Sequence, residues 1–341
     1  MAAPSLTASP NSAASGLDHM VLRFACGVTA AFVICEAFGW YPTFLATILT
    51  AALLASVPGP LSGKAGLVLI VVQASGALAA FALSSALRGT PIILFGAIGL
   101  IIFLSFATIA SGRGFLPNLL LLICFSTIPI VTMASPQQGR ALPLAFTRGM
   151  AVAVCMVWLM HALWPRLTAK RAANATSYLA APIRMALAGT TIVLPLMLVY
   201  LMYGLTDALP VLIATVVLVI TFDKKRSVAQ GLAMMIGNLI GGMIALLAYL
   251  VLQVAPSLTT LTLITFGIAL MSARQIGRGG SGAAVGLMTF NQAAIMFSLA
   301  LMPGSSSAGI WASRLLQFGI ASAFAIGMII IVLPREKTRG R

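Results

Sequence analysis

Residues 115–133 read FLPNLLLLICFSTIPIVTM, a run that contains no charged side chain. A helix of this length measures about 28 Å, close to the thickness of the hydrocarbon core of a bilayer. Hydrocarbon offers the backbone no hydrogen-bond partners, and a helix satisfies its own. The run therefore predicts a membrane-spanning helix, with the hydroxyl side chains of Ser126 and Thr127 near its middle.

Apolar runs of the same kind recur along the whole chain. Of the 341 residues, 60% are hydrophobic and 7% are charged, which is too little polar surface for a water-soluble protein. The chain is therefore predicted to be an all-α polytopic membrane protein with about twelve transmembrane helices. The predicted spans are 21–38, 43–57, 65–87, 91–110, 115–133, 142–164, 183–203, 208–222, 228–253, 257–273, 282–301 and 308–333.

The basic residues indicate how the predicted spans are oriented. If all twelve cross the membrane and the N-terminus is cytoplasmic, sixteen of the 20 lysines and arginines fall on the cytoplasmic side. This follows the positive-inside rule and predicts cytoplasmic N- and C-termini. The predicted units are a disordered cytoplasmic tail (1–20), a first six-helix repeat (21–165), a cytoplasmic linker (166–182), a second six-helix repeat (183–334) and a basic cytoplasmic tail (335–341).

The two halves of the chain carry matching motifs at a nearly constant spacing. The segment from Arg23 to Thr29 resembles the segment from Arg184 to Thr190. Further matches pair Pro42 with Pro210, Phe125-Ser126-Thr127 with Phe290-Asn291-Gln292, and Arg148 with Arg314. With six spans in each half, the matches predict two parallel repeats related by a pseudo-twofold axis along the membrane normal.

Polar side chains in the middle of the spans are the first candidates for a substrate site, because lipid leaves them without hydrogen-bond partners. Ser126 and Thr127 in the fifth span correspond to Asn291 and Gln292 in the eleventh. The repeat therefore predicts that the two pairs meet near the axis and bind substrate. The alternative is that these side chains only form hydrogen bonds between packed helices.

Further candidates lie nearer the span ends. Thr47 and Thr215 belong to the short second and eighth spans, which are predicted as half-crossing helices that offer backbone dipoles to a ligand, or as interfacial hairpins. Arg148 and Arg314, just inside the sixth and twelfth spans, either attract an anion or extend to the membrane surface. Glu36, the only carboxylate in a span, either carries a proton during exchange or reaches interfacial water.

The inventory of reactive residues predicts that the chain is not an enzyme. Its two histidines, His19 and His161, and its five acidic residues form no paired carboxylates, no zinc motif and no Walker loop. We therefore expect no cofactor and no metal. The net charge of +15 is spread thinly through apolar sequence, so nucleic acid is not an expected partner.

Three features together resemble one bacterial family. They are the doubled six-helix layout, the Arg-x-Ala-x-Gly-x-Thr start at Arg23 with its partner at Arg184, and the basic turn before a glycine-rich helix from Lys224 to Gly242. The chain resembles the fusaric acid resistance (FUSC) and aromatic acid exporter superfamily, in a short branch without the large cytoplasmic domain. The resemblance implies export of aromatic or other hydrophobic weak acids, driven by the proton gradient. It also implies a periplasmic adaptor of the membrane-fusion type and an outer-membrane channel as partners.

The sequence thus predicts an inner-membrane secondary transporter that exports small aromatic or amphipathic organic anions by rocking of the two repeats. One alternative is a passive organic-anion channel, which a basic pore lining fits equally well. Another is a non-transporting membrane subunit of an envelope complex. Assembly into a homo-oligomer is compatible with all three.

Overall fold

A computed structural model describes residues 10–57, 59–165, 182–203 and 224–301, and a few positions between 212 and 220 and between 323 and 331. Regular structure in these ranges is entirely helical. The ten helices described are α1 (Pro10–Ala37), α2 (Phe44–Ser56), α3 (Gly63–Ala86), α4 (Pro91–Ala110), α5 (Phe115–Ala134), α6 (Pro136–Leu163), α7 (Pro182–Tyr203), α8 (Lys224–Val254), α9 (Leu258–Arg278) and α10 (Gly280–Leu301). The predicted eighth and twelfth spans, the linker and the basic tail lie largely or wholly outside the described residues.

Eight of the described helices are long and apolar enough to cross a membrane: α1, α3 to α8, and α10. Their outer faces carry exposed apolar side chains, such as Ile92 and Leu100 on α4 and Leu247 on α8. A water-soluble protein would present charged side chains at such positions. The chain is therefore a multi-pass helical membrane protein.

Two described helices depart from this pattern. α2 has 13 residues and is about 20 Å long, too short to cross the hydrocarbon core by itself, although Thr47 and Thr50 on it are buried. α9 is long enough, but threonines in its first half and the charged side chains of Arg274 and Arg278 make it less apolar. The described helices therefore do not establish twelve crossings.

Two helix starts differ from the sequence prediction. α1 begins at Pro10, so residues 10–20, predicted as disordered tail, are helical. Once the packed part of a helix has formed, each further residue adds a hydrogen bond at little cost. α6 begins at Pro136, six residues before its predicted start, because proline fits the first turn of a helix. Arg148 consequently lies about 18 Å along α6, well inside the helix instead of near its end.

The N-terminal and C-terminal parts of the chain pack into one another. α3 packs against α5, α4 against both α5 and α7, α8 against α10, and α9 against both α10 and α1. The short helix α2 contacts α1, α6 and α10. Phe24 of α1 meets Phe290 of α10 edge to face with ring centres 5.4 Å apart, and Phe32 stacks on Phe297. α1 and α10 thus contact each other through two pairs of aromatic rings.

Glycines allow α8 and α10 to approach closely. A Cβ at Gly237 would lie 2.8 Å from the Cβ of Met288, and a Cβ at Gly241 would overlap the carbonyl oxygen of Thr289. Small residues at such positions let helix backbones come together in a membrane, where no hydrophobic force drives helices to associate. The glycine-rich sequence of α8 therefore serves helix packing at these two positions.

We expect Gly241→Ala to destabilise the protein. The new Cβ would collide with the backbone of α10 at Thr289, and overpacking of this kind costs about 1–3 kcal/mol. The measurement is thermal unfolding of purified protein in detergent, with Gly267→Ala on α9 as the matched control. A Cβ at Gly267 meets nothing within 4 Å, so this control should unfold at the same temperature as the original or higher. Equal unfolding midpoints for the two variants would contradict the close approach.

Candidate functional site

The two hydroxyl groups in the middle of α5 turn back onto their own helix. Ser126 Oγ donates to the carbonyl oxygen of Ile123 at 3.1 Å, and Thr127 Oγ1 donates to the same oxygen at 2.7 Å. Both side chains are buried. Their protons are used within α5, so only the acceptor lone pairs remain for a ligand or a neighbouring helix.

The two amide side chains on α10 are less well satisfied. The Oδ1 of Asn291 and the Nε2 of Gln292 are both enclosed, and neither has a hydrogen-bond partner among the described residues. Leaving such a group unpaired in an apolar interior costs about 1–3 kcal/mol. These atoms are therefore places where a water molecule or a ligand would be stabilised.

The structure does not join the two pairs in one hydrogen-bonded cluster. α5 packs against α3, α4, α6 and α7, whereas α10 packs against α2, α8 and α9. Within the described ranges, no hydrogen bond links Ser126 or Thr127 to Asn291 or Gln292. The shared midplane site therefore stays a prediction.

The remaining predicted residues lie in different places. Thr47 Oγ1 donates to the carbonyl oxygen of Thr43 at 3.2 Å, so its proton is also used within its own helix. Thr215 is buried. Arg314 falls outside the described residues. The described contacts therefore do not bring Thr47 to the polar pairs of α5 and α10.

A polar cluster forms where α1 turns into α2, in residues 36–46, which we call the α1–α2 corner. Glu36, one residue before the end of α1, accepts a hydrogen bond from Thr43 Oγ1 at 2.9 Å. The same Thr43 oxygen lies 2.5 Å from the Oγ of Ser298 on α10, and both hydroxyl side chains are fully buried. Three hydrogen-bonding side chains thus connect α1, the corner and α10.

A cleft borders the same corner. The guanidinium carbon of Arg148 on α6 lies 5.4 Å from the ring centre of Trp40, a distance at which a cation is attracted to the face of an indole. The cleft has room for about one water molecule. Its other walls are formed by the corner, from Trp40 to Ala46, and by Cys35, Ala145 and Gly149.

Gly149 explains how Arg148 reaches this position. A Cβ at Gly149 would lie 3.3 Å from the backbone nitrogen of Ala46, so the absence of a side chain lets α6 close against the start of α2. The neighbouring Arg148 is then held beside the corner. Its Nε is buried and has no hydrogen-bond partner in the part of the chain described. An unused N–H on a cation is a strong donor for an anion.

Three residues of this region are absent from the sequence prediction of the site: Trp40, Thr43 and Ser298. Thr43 stands at a helix start, where threonine is an ordinary capping residue, and Ser298 is a single hydroxyl in an apolar run. Neither position carries a signal by itself. Trp40 does carry a signal in the sequence. It follows the only carboxylate in a predicted span by four residues, which places an aromatic side chain near a charge.

We expect Gln292→Met to stabilise the protein. Methionine has nearly the same shape, and the variant removes a buried amide nitrogen that has no partner among the residues described. This removal raises the free energy of unfolding by about 1 kcal/mol or more. The measurement is thermal or denaturant unfolding without added substrate. Gln253→Met on α8 is the control. Gln253 donates to the hydroxyl of Tyr249, but this hydrogen bond is exposed to solvent, so its loss should change stability by less than about 0.5 kcal/mol. A loss of stability in Gln292→Met would show that the amide has a partner after all.

Comparison with known proteins adds one match. A family model described as a protein of unknown function, DUF2955, matches residues 20–160, which run from α1 almost to the end of α6. No match to a curated protein or to a solved structure was found. The matching family carries no assigned activity, so the resemblance to the fusaric acid resistance and aromatic acid exporter superfamily stays a prediction. The part of the chain that contains the cleft is thus similar to a family without an assigned activity.

Proposed function

We propose that this chain is a bacterial inner-membrane secondary transporter that exports small aromatic or amphipathic organic anions. The observation that carries the proposal is the position of Arg148. Its cationic group lies well inside a membrane-spanning helix, over the ring of Trp40, with its Nε buried and unpaired among the described residues. A charge in such a place is costly unless it serves a ligand or a pathway.

The chemistry of the cleft favours an aromatic anion as its ligand. The guanidinium group presents planar donors that match a carboxylate, and Trp40 beside it offers a flat apolar surface for a ring. A carboxylate bound at Arg148 would therefore place an attached ring against apolar and aromatic side chains. A small inorganic anion would use the charge but not that surface.

The size of the cleft favours a carrier over an open channel. In the described conformation, the space beside Arg148 admits about one water molecule and no aromatic ring. Substrate entry then requires movement of the α1–α2 corner or of α6. A cleft that must open and close fits alternating access better than a permanently open pore.

The packing of the helices supports the proposed arrangement of two repeats. In the predicted repeat, α1 corresponds to α7, α3 to α8, α4 to α9 and α5 to α10. The packing of α3 on α5 then corresponds to that of α8 on α10, and the packing of α4 on α5 to that of α9 on α10. The packing of α4 on α7 likewise corresponds to that of α9 on α1, and all six pairs are in contact. Gly76 approaches Cys124 between α3 and α5, and Gly241 approaches Thr289 between α8 and α10. Gly241 follows Gly76 by the same number of residues as Thr289 follows Cys124, as duplicated units would require.

Glu36 is proposed as the proton carrier of the transport cycle. It is half-buried at the end of α1, close to the cleft that holds Arg148, and its carboxylate is hydrogen-bonded to Thr43. A carboxylate in such a place can exchange a proton as its surroundings change between transport states. Entry of protons from outside would then drive export of the anion.

We expect Arg148→Gln to slow export of benzoate and naphthoate by at least tenfold. The loss of one charge-assisted hydrogen bond, about 1.5–3 kcal/mol, corresponds to roughly tenfold or more in binding. Efflux is measured from preloaded cells that contain equal amounts of each variant. Arg140→Gln is the matched control, since Arg140 lies two turns earlier on α6 and is exposed, and it should export at the original rate.

Two further measurements separate the alternatives. Trp40→Leu should reduce export of naphthoate more than export of acetate, because it removes the aromatic surface and leaves the charge. An uncoupler that collapses the proton gradient should stop uphill export by a carrier, whereas a passive channel would continue to equilibrate the anion. Equal retention of the whole acid panel with and without the protein would overturn the proposal and favour a non-transporting subunit.

A further inference from the structure

Thr43 uses its hydroxyl group in an unusual way for its position. It stands immediately before α2, where a threonine side chain ordinarily accepts a hydrogen bond from the backbone of the first turn. No such cap is formed here. The hydroxyl points instead to Glu36 on one side, at 2.9 Å, and to Ser298 on the other, at 2.5 Å. The start of α2 thus gives up a local hydrogen bond for contacts with α1 and α10.

The direction of each hydrogen bond follows from the number of protons available. An ionised carboxylate can only accept, so Thr43 donates its single hydroxyl proton to Glu36. Ser298 must then be the donor in the contact between the two hydroxyl groups. Ser298 on α10 therefore donates to Thr43, and Thr43 donates to the negatively charged Glu36 on α1. The charge at the end of this series strengthens both hydrogen bonds. Protonation of Glu36 removes that charge.

We propose that the chain of Glu36, Thr43 and Ser298 is a proton-sensitive contact that holds the α1–α2 corner against α10 and keeps the Arg148 cleft closed. The corner supplies Trp40 and the segment up to Ala46 to the wall of the cleft, so release of the corner enlarges it. Thr43 and Ser298 do not line the cleft. They act as positioning residues, because they hold the corner that forms part of its wall. The inference deepens the proposed function, on which its role in transport rests.

Within the described ranges, few other charged groups face Glu36. On α6, Arg148 lines the same cleft as Cys35, the neighbour of Glu36, and the corner also contains Tyr41. α2 and α10 contain no ionisable side chain. The arginines of α9 lie toward its other end, where Gly277 packs against the opposite end of α1. The carboxylate of Glu36 is therefore the group at this contact that we expect to gain or lose a proton.

Acrylamide quenching of Trp40 fluorescence tests the contact without any substrate. The purified full-length protein is studied in detergent, and the signal of the other tryptophans is removed by subtracting the Trp40→Phe variant. Glu36 gains its proton as the pH falls, so we expect the quenching constant to rise at least twofold from pH 8 to pH 5. Glu36→Gln, which mimics the protonated form, should show the higher value at both pH values.

The hydroxyl groups are tested by matched variants. Thr43→Val and Ser298→Ala each remove a hydroxyl from the series of hydrogen bonds. Both should raise quenching at pH 8 to the value that the original protein reaches at pH 5. Thr43→Ser retains a hydroxyl and should keep the pH dependence of quenching. Thr50→Val is the control, because Thr50 is also buried on α2 but donates to its own helix at Ala46, and it should titrate like the original. Unfolding midpoints establish that each variant is folded.

Two results would overturn the inference: quenching of Trp40 that is equal at pH 8 and pH 5, or a titration that persists unchanged in Glu36→Gln. Its failure is distinguishable from failure of the proposed function. A quenching titration without any acid export would leave the proton-sensitive contact standing and remove transport. Export that depends on Arg148 without a quenching titration would do the reverse.

Discussion

Every polar side chain inside this protein needs a hydrogen-bond partner in an interior that offers little water, and this requirement governs the structure. Many buried hydroxyl groups meet it alone, by donating to a carbonyl oxygen one turn earlier in the same helix. Examples are Thr50, Ser84, Ser105, Thr127 and Thr265. Such residues make few demands on neighbouring helices, so their presence in a span is a weak sign of function.

Side chains that cannot be satisfied locally mark where helices depend on one another. Glu36 accepts from Thr43, and Thr43 in turn is linked to Ser298 on α10. Arg148 lies over Trp40 with a buried N–H left unpaired within the described residues, and Gln292 keeps an unpaired amide nitrogen there as well. These groups gather around the end of α1 and along α10. The chemistry proposed for transport therefore uses polar groups that local hydrogen bonds within one helix do not satisfy.

Two of the contacts that hold α10 respond differently to charge. Against α8 it packs through close backbone approach at Gly237 and Gly241, which depends only on shape. Against the α1–α2 corner it is held by the hydroxyl group of Ser298, whose hydrogen bond ends on a carboxylate. A change in protonation alters the second contact and leaves the first intact. α10 can therefore stay fixed to α8 while the corner moves.

The amino-acid sequence alone determined that this is a multi-pass helical membrane protein, because lipid imposes length and apolarity on each span separately. It also located Glu36 at the end of the first span and the shortness of α2, both of which are local properties. Tertiary structure alone decided which polar groups meet. Thr43 and Ser298 are 255 residues apart in sequence, and Trp40 meets Arg148 only because Gly149 lets α6 close on α2. The partner of a buried polar group depends on how helices pack in space, and the apolar pattern of a single span does not indicate which helix packs against it.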